Sequence, residues 1–351
     1  MRLGLVFGGR SGEHDVSVVS ARSVAAALDR TRFDVVPMAI DRAGRWADAE
    51  TAESVLAGSG DRTDEVRRFQ GSAAFDQRLL EGALDVVFPV LHGPYGEDGT
   101  IQGLFEMLDL PYVGSGVEAS ALCMDKAMAK RVIVQAGLPT PPWVELTVLQ
   151  WAEEREEARA RCLDLGLPLF VKPARLGSSV GISKVSELTA LEAAVAKALE
   201  LDAKVVVERG ITGREIEVAV LGNERPRAAI PGEVVPGHDF YDYEDKYVDD
   251  ACELLAPAPL ESGQMERARE LAVAAFSTLG CEGMARVDLF LDSASGAFLV
   301  NEVNTIPGFT SISMYPRLWD VSGLPYGQLL EQLVDLALER HHRRHGGRPG
   351  G

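Results

Sequence analysis

Residues 285–304, ARVDLFLDSASGAFLVNEVN, decide how the rest of the chain is read. Two apolar runs flank Asp292-Ser293-Ala294-Ser295-Gly296, a linker of turn-forming residues of the kind that joins antiparallel strands. A β-hairpin is the economical fold. Side chains alternate between the faces of a strand, so Arg286 and Asp288 share one face, while Glu302 and Asn304 share one face of the partner. A turn centred on Ala294 sets Arg286 opposite Glu302, with Asp288 diagonal to it. Buried like charges repel unless a cation sits between them, and two carboxylates with an amide are the hard oxygen donors that Mg2+ takes. The plainer alternative is an Arg286/Glu302 salt bridge on a solvent face. Apolar residues interleave on both sides of both strands, which favours burial and a metal-binding hairpin.

Composition narrows the classes. At 351 residues and 46% hydrophobic, the chain has material for two or three domains with sizeable cores. Its formal charge of -18 opposes nucleic acid or an anionic membrane as the main partner, because phosphate-rich surfaces are bound by net basic ones. Neither is expected. Cys123, Cys162, Cys252 and Cys281 form no CxxC pair, and the chain opens on a strand-like run without a signal-peptide pattern, so the expectation is reduced thiols in a cytoplasmic protein. No uninterrupted apolar run has the length that spans a bilayer. The basic, Gly-rich HHRRHGGRPGG at 341–351 is expected to be a disordered tail rather than a metal site.

Residues 2–7 form a short apolar strand ending at Gly8-Gly9, and 15–28 carry Val and Ala at helical spacing. Strand, Gly-rich turn, helix is an α/β beginning. Residues 35–40 and 84–91 read as further buried strands, the second leading into the loop 92–99, at the strand end where open α/β sheets bind ligands. Segment 48–77 is acidic and of weak period. A helical stretch at 119–136 follows Gly114-x-Gly116-x-x-Ala119, a weak match to a dinucleotide fingerprint, since no βαβ unit continues from it. Strands at 169–172 and 204–208 around an amphipathic helix at 187–200 make an α+β unit. Strands at 215–221, 228–231, 286–291 and 297–301, with a helix at 265–279, make a second, largely antiparallel one.

No GxxxxGK[ST] motif occurs, so phosphate must be held another way. Lys172 ends a strand and leads into Pro173-Ala174-Arg175-Leu176-Gly177-Ser178-Ser179-Val180-Gly181, whose small residues let backbone N–H groups approach an anion. The alternative is a plain surface turn. Lys126 and Lys130 lie one helical turn apart and are candidates for the same anion, or for solvent.

Eight collinear segments cover nearly the whole chain: GGRSGEHDVS from Gly8, LHGPYGEDGT from Leu91, MDKAMAK from Met124, VKPARLGSSVGI from Val171, VVERGITGREIEVAVLG from Val206, FYDYEDKY from Phe240, GMARVDLF from Gly283 and NEVNTIPGFTSIS from Asn301. Together they resemble the D-alanine:D-alanine ligase family of the ATP-grasp superfamily. The resemblance implies an α/β amino-terminal domain (1–114) followed by two α+β domains (115–208 and 209–340) that clamp ATP, before the tail at 341–351. It also implies a cytoplasmic homodimer that joins two D-alanines for peptidoglycan precursor synthesis.

Residue by residue, the resemblance assigns Lys126, Lys172 and Ser179 to phosphate, Glu208 and Ile211 to adenine, and Glu215 to ribose. Asp288, Glu302 and Asn304 would hold two Mg2+ or Mn2+ ions. Glu13, Ser178 and Tyr247 match a hydrogen-bonded trio that positions the first D-alanine, with His92 nearby. Lys246, Ser313 and the Met314 N–H would hold the second substrate's carboxylate, and Arg286 with the Gly308 N–H would stabilise the oxyanion. The aromatic and charged run 240–247 suits a mobile lid that keeps water from the acyl phosphate. Competing readings are a D-alanine:D-lactate depsipeptide ligase, another ATP-grasp carboxylate ligase, and a nucleotide-binding regulatory module without catalysis. Tyr247 in its pattern favours the dipeptide enzyme.

Overall fold

The computed structural model describes residues 1–58, 69–235, 253–310 and 312–346; Lys246, Tyr247, Cys252 and the whole run 240–247 lie outside them. Three sheets organise the chain.

In the first, β1 (Arg2–Gly8) lies between β2 (Asp34–Ile40) and β3 (Val86–Val90), all parallel. β3 is buried along its length and β1 beyond its first residue, as parallel strands are when helices cover both faces. The chain leaves β1 at Gly8, whose φ of +90° favours glycine and where a Cβ would stand 2.2 Å from the Ile40 carbonyl oxygen. Helix α1 (His14–Ala27) then packs on β1, α2 (Ala49–Ala57) on β2, and α3 (Thr100–Met107) follows the loop after β3. Segment 48–77 thus opens on a helix, with the Asp48 carboxylate accepting the Thr51 N–H at 2.8 Å as its N-cap.

The helical stretch expected at 119–136 is two helices, α4 (Val117–Met124) and α5 (Lys126–Gln135). Asp125 divides them: its backbone is extended, and its carboxylate accepts the Met128 N–H at 3.1 Å to start the second. No βαβ unit follows, so the dinucleotide fingerprint has no structural basis. The second sheet instead has β4 (Trp143–Thr147), β7 (Lys204–Arg209), β5 (Leu169–Pro173) and β6 (Ser183–Val185) in that order, all antiparallel. It carries α6 (Val148–Glu153), α7 (Arg155–Leu163) and α8 (Leu191–Leu201).

The third sheet runs β11 (Glu253–Leu255), β10 (Gly232–Val235), β8 (Gly213–Gly222), β12 (Gly283–Asp292), β13 (Phe298–Asn304), with β9 (Arg227–Ala228) also on β8. The strand expected at 228–231 divides into β9 and β10 around Pro231, which has no N–H for a ladder. Helix α9 (Ser262–Thr278) covers one face, and α4 and α5 share its core through Ala119, Cys123 and Ile133.

The β12–β13 hairpin forms, but its register corrects the expected one. Arg286 faces Asn304, not Glu302, and Asp288 faces Glu302 directly. Near the turn Leu289 pairs with Val300, so Asn301 is an extra residue, a β-bulge that shifts the later pairs by one.

The last two helices, α10 (Met314–Val321) and α11 (Tyr326–His345), return to the first sheet: Leu329, Leu333 and Val334 share a core with Leu5, Phe7 and Phe88. The expected disordered tail is corrected over its first part, because α11 continues through His345. Buried Arg340 donates to the carbonyls of Tyr112 and Gly114, while Arg343 and Arg344 pair with Glu282 and Glu106. Basic side chains also suit the negative end of a helix. Residues 347–351 lie outside the described ones.

Candidate functional site

Between the second and third sheets lies a cleft of about 350 Å³. Its third-sheet wall follows from register. Asp288 stands opposite Glu217 on β8 and opposite Glu302 on β13, placing three carboxylates side by side on one face. Arg286 shares that face and grips Asp288 with two bonds of 2.7 Å, its Nε also 3.3 Å from Glu217. The Asn304 amide donates to Asp288 at 2.9 Å, and Lys126 Nζ lies 3.5 Å from Glu302. The donors are all oxygens, with more carboxylates than the one guanidinium offsets. A carboxylate has about four lone-pair sites, so Asp288 can keep Arg286 and still serve a hard divalent cation. The residues present therefore fit such an ion.

The facing wall is cationic. Lys172 on β5 reaches Glu208 on β7 at 2.8 Å, and Lys130 on α5 reaches the other oxygen of the same carboxylate at 3.2 Å. Burial alone would raise the Glu208 carboxyl, but the two lysines hold it below the ordinary range, so it stays charged. For Lys172 burial pulls the pKa down, and Glu208 overcomes that to raise it; for Lys130 burial wins and lowers it. Lys130 also donates to Thr140 at 2.9 Å. Of the two lysines considered for one anion, only Lys126 lines the cleft, where it donates to the Leu176 carbonyl at 2.8 Å. Ile211 and Glu215 line the same space, as do Ser178 and Ser179, whose φ angles of 50° and 59° are uncommon outside glycine.

At the rim, Ser178 Oγ donates to Glu13, which stands at the N-cap position of α1 without a side-chain capping bond. The loop after β3 is sewn to the loop after β13. His92 Nδ1 donates to the Ile306 carbonyl at 3.1 Å, and its Nε2 lies 3.4 Å from Ser20 Oγ, which accepts the Phe309 N–H at 3.3 Å. Burial pushes the His92 imidazole below its ordinary pKa. Both ring nitrogens are thus engaged within the protein, and His92 orients loops. Glu97 accepts the Gly93 and Ile306 N–H groups at 2.6 and 3.2 Å. Burial first, then the Glu13 charge, push its carboxyl up to about 8. Gly308 follows; a Cβ there would lie 2.7 Å from Ser313 Oγ. That hydroxyl contacts Thr310 instead of capping α10, whose first residue is Met314.

The chain matches family models described as the D-ala D-ala ligase N-terminus over residues 2–115 and the D-ala D-ala ligase C-terminus over residues 132–335. It belongs to the D-alanine–D-alanine ligase family. The D-alanine–D-alanine ligase A of Bradyrhizobium diazoefficiens is 49% identical to it, over 98% of this chain and 96% of the relative. That of Salmonella typhimurium is 47% identical, over 97% and 96%. Among solved structures, the D-alanine–D-alanine ligase of Coxiella burnetii superposes with a TM-score of 0.83 at 36% identity, covering 99% of this chain and 96% of that one. The VanG D-Ala:D-Ser ligase of Enterococcus faecalis also gives 0.83 at 36% identity, covering 96% and 99%. The fold is the ATP-grasp architecture of these ligases.

Sequence reasoning missed three residues in this site and the partner of a fourth, Lys130. Glu217 was legible, since it shares a strand face with Glu215 in GREIEVAVLG. Glu97 lay inside a noted loop, but nothing local marks it as buried. Asn301 as a bulge and Lys130 as a partner of Glu208 carry no signal in the sequence, because both depend on pairing between distant segments.

Proposed function

We propose that this chain joins two D-alanines into D-alanyl-D-alanine, converting ATP to ADP and phosphate through an acyl phosphate. The observation that carries this reading is one cleft lined by Lys126 and Lys172 on one side and Asp288 and Glu302 on the other, with Asn304 bonded to Asp288 and the Glu13–Ser178 pair at its rim.

A carboxylate is a poor electrophile and must first take the γ-phosphoryl group, which brings two anions together. Lys126, Lys172 and the backbone of the loop holding Ser178 and Ser179 supply positive potential there. A bound Mg2+ or Mn2+, held by Asp288, Glu302 and Asn304, would neutralise the phosphates and align them. Ile211, Glu208 and Glu215 take the adenosine. Glu13 pairs with the first substrate's ammonium, oriented by Ser178 and, from outside the described residues, by Tyr247. The second carboxylate is assigned to Ser313, Lys246 and the Met314 N–H; Ser313 leaves the first N–H groups of α10 uncapped by its hydroxyl, which favours an anion there. Attack by the second amine makes an oxyanion, assigned to Arg286 and the Gly308 N–H, and loss of such a donor costs about 3 kcal/mol in the transition state. A homodimer in the cytoplasm completes the proposal, checked by light scattering and fractionation.

The test is phosphate release from ATP and Mg2+ with D-alanine, L-alanine, or D-alanine plus D-lactate or D-serine, products being identified by mass. Dipeptide from D-alanine alone supports the ligase. Release only with D-lactate or D-serine moves the second substrate, and ATP binding without turnover leaves a regulatory module.

A further inference from the structure

Outside the lining of the cleft, the end of α11 carries His341 and His345, four residues apart on one helix face with ring centroids 4.3 Å apart. Facing them is Asp109, in the turn after α3, which holds a left-handed φ of 56°. Asp109 Oδ1 lies 2.7 Å from His345 Nε2 and 3.8 Å from His341 Nε2, and one ligand atom from each residue falls within 4.8 Å of the others. A tetrahedral ion with bonds of about 2.0–2.1 Å sets its donors about 3.3 Å apart, a spacing these distances bracket.

A second feature points the same way. His345 Nδ1 lies 2.8 Å from the His341 carbonyl oxygen, which can only accept, so Nδ1 carries a proton. The other nitrogen, Nε2, points at a carboxylate oxygen 2.7 Å away and is the atom through which the ring would bind an ion. At 2.7 Å the two atoms are spaced for a hydrogen bond, and an ion bound to both would open them to about 3.3 Å. A ring N–H given to a backbone carbonyl, leaving the other nitrogen for the ion, is also how metal-binding histidines are oriented. The neighbouring guanidinium groups are committed elsewhere, Arg344 to Glu106 and Arg340 to the Tyr112 and Gly114 carbonyls.

We propose that Asp109, His341 and His345 form a surface site for a divalent transition metal, Zn2+ foremost, with water as the fourth ligand. Two imidazoles and one carboxylate favour Zn2+, Ni2+ or Cu2+ over Mg2+, which takes oxygen donors such as those of the cleft. The ion clips the end of the C-terminal helix to the domain of the first sheet. An ion that binds the folded state alone also stabilises it.

The experiment uses the untagged full chain, stripped with chelator and held in excess Mg2+ so that the cleft is occupied. Calorimetry with Zn2+, the visible spectrum with Co2+, and Tm with and without Zn2+ are compared with His341→Gln/His345→Gln and with Asp109→Asn. The expected result is one Zn2+ per chain, a nitrogen-ligated Co2+ spectrum and a Tm raised by Zn2+. The double variant should lose all three, and Asp109→Asn, which replaces a charged ligand by a neutral amide, should bind at least about tenfold more weakly. Ligation with Mg2+ alone should be unchanged in both. Zn2+ binding and a Tm shift that survive in the double variant, or no binding to the unsubstituted chain, would overturn the site and leave an imidazolium–carboxylate pair.

Discussion

Ser178 holds a φ of 50° while its hydroxyl donates to Glu13, so backbone strain and a charge-assisted bond meet in one residue. Ser178→Ala should keep the strain and lose the bond, lowering kcat/KM for D-alanine by about tenfold or more, since a bond to a charged group contributes about 1.5–3 kcal/mol. Ser178→Gly should lose the bond as well but melt higher than the alanine variant, because glycine tolerates that angle. Steady-state kinetics and thermal melts separate the two effects. Glu97 predicts a pH dependence. Burial raises its carboxyl from 4.5 to about 8, so folding takes up a proton. Stability from this group is full below the ordinary carboxylate range and falls as pH rises toward about 8. His92, whose pKa is lowered, has the opposite sign: its share is full above its ordinary 6.5 and is lost as pH falls below that. Melts between pH 6 and 9 should therefore decline up to about pH 8 and level off above it in the unsubstituted chain, and decline less in Glu97→Gln.

At the scale of elements, the hairpin is instructive. Apolar alternation around a turn-forming linker predicts two antiparallel strands, and they form. The bulge at Asn301 is decided by the whole sheet, with β8 on the far side of β12 fixing Asp288 against Glu217. The consequence is chemical: without the shift Val287, not Asp288, would face Glu302. The loop between β13 and α10 carries a second expectation. Gly308→Ala would drive a Cβ to 2.7 Å from Ser313 Oγ, and a displacement of about 1 Å near reacting atoms can cost about 100-fold in rate. Turnover should fall by that order while the melting temperature changes little. Measured against Ser313→Ala alone, which loses its own substrate contact, the double variant lacks the clashing oxygen, and recovery of part of the Gly308→Ala loss would show the steric cause. No recovery would place the defect elsewhere.

Across the whole molecule, the chain's end is built into its beginning. Phe309 sits edge-on to Phe88, 5.8 Å between centroids, and contacts Tyr315 and Tyr326, in a core shared by the first sheet, α10 and α11. Phe309→Ala should cost about 3–5 kcal/mol. Because that core spans both ends of the chain, calorimetry should show one transition at lower temperature; two separated transitions would mean that the domains are independent.

The sequence by itself determined the order of elements, the antiparallel hairpin, the cationic strand end at Lys172 and the carboxylates of β12 and β13, because hydrophobic period, turn residues and charge placement are local signals. Even there, an acidic helix at Ala49–Ala57 and the interruption at Asp125 escaped it, since weak period and a mid-run cap look alike without neighbours. Only the tertiary structure decided the rest. It made His92 a joint between loops, gave Lys130 to Glu208, buried Glu97, inserted the bulge and extended α11 through a stretch that composition marks as tail. Each of these depends on groups distant in sequence meeting in a low-dielectric interior, where the partner fixes the charge and the register, and no local pattern encodes the partner.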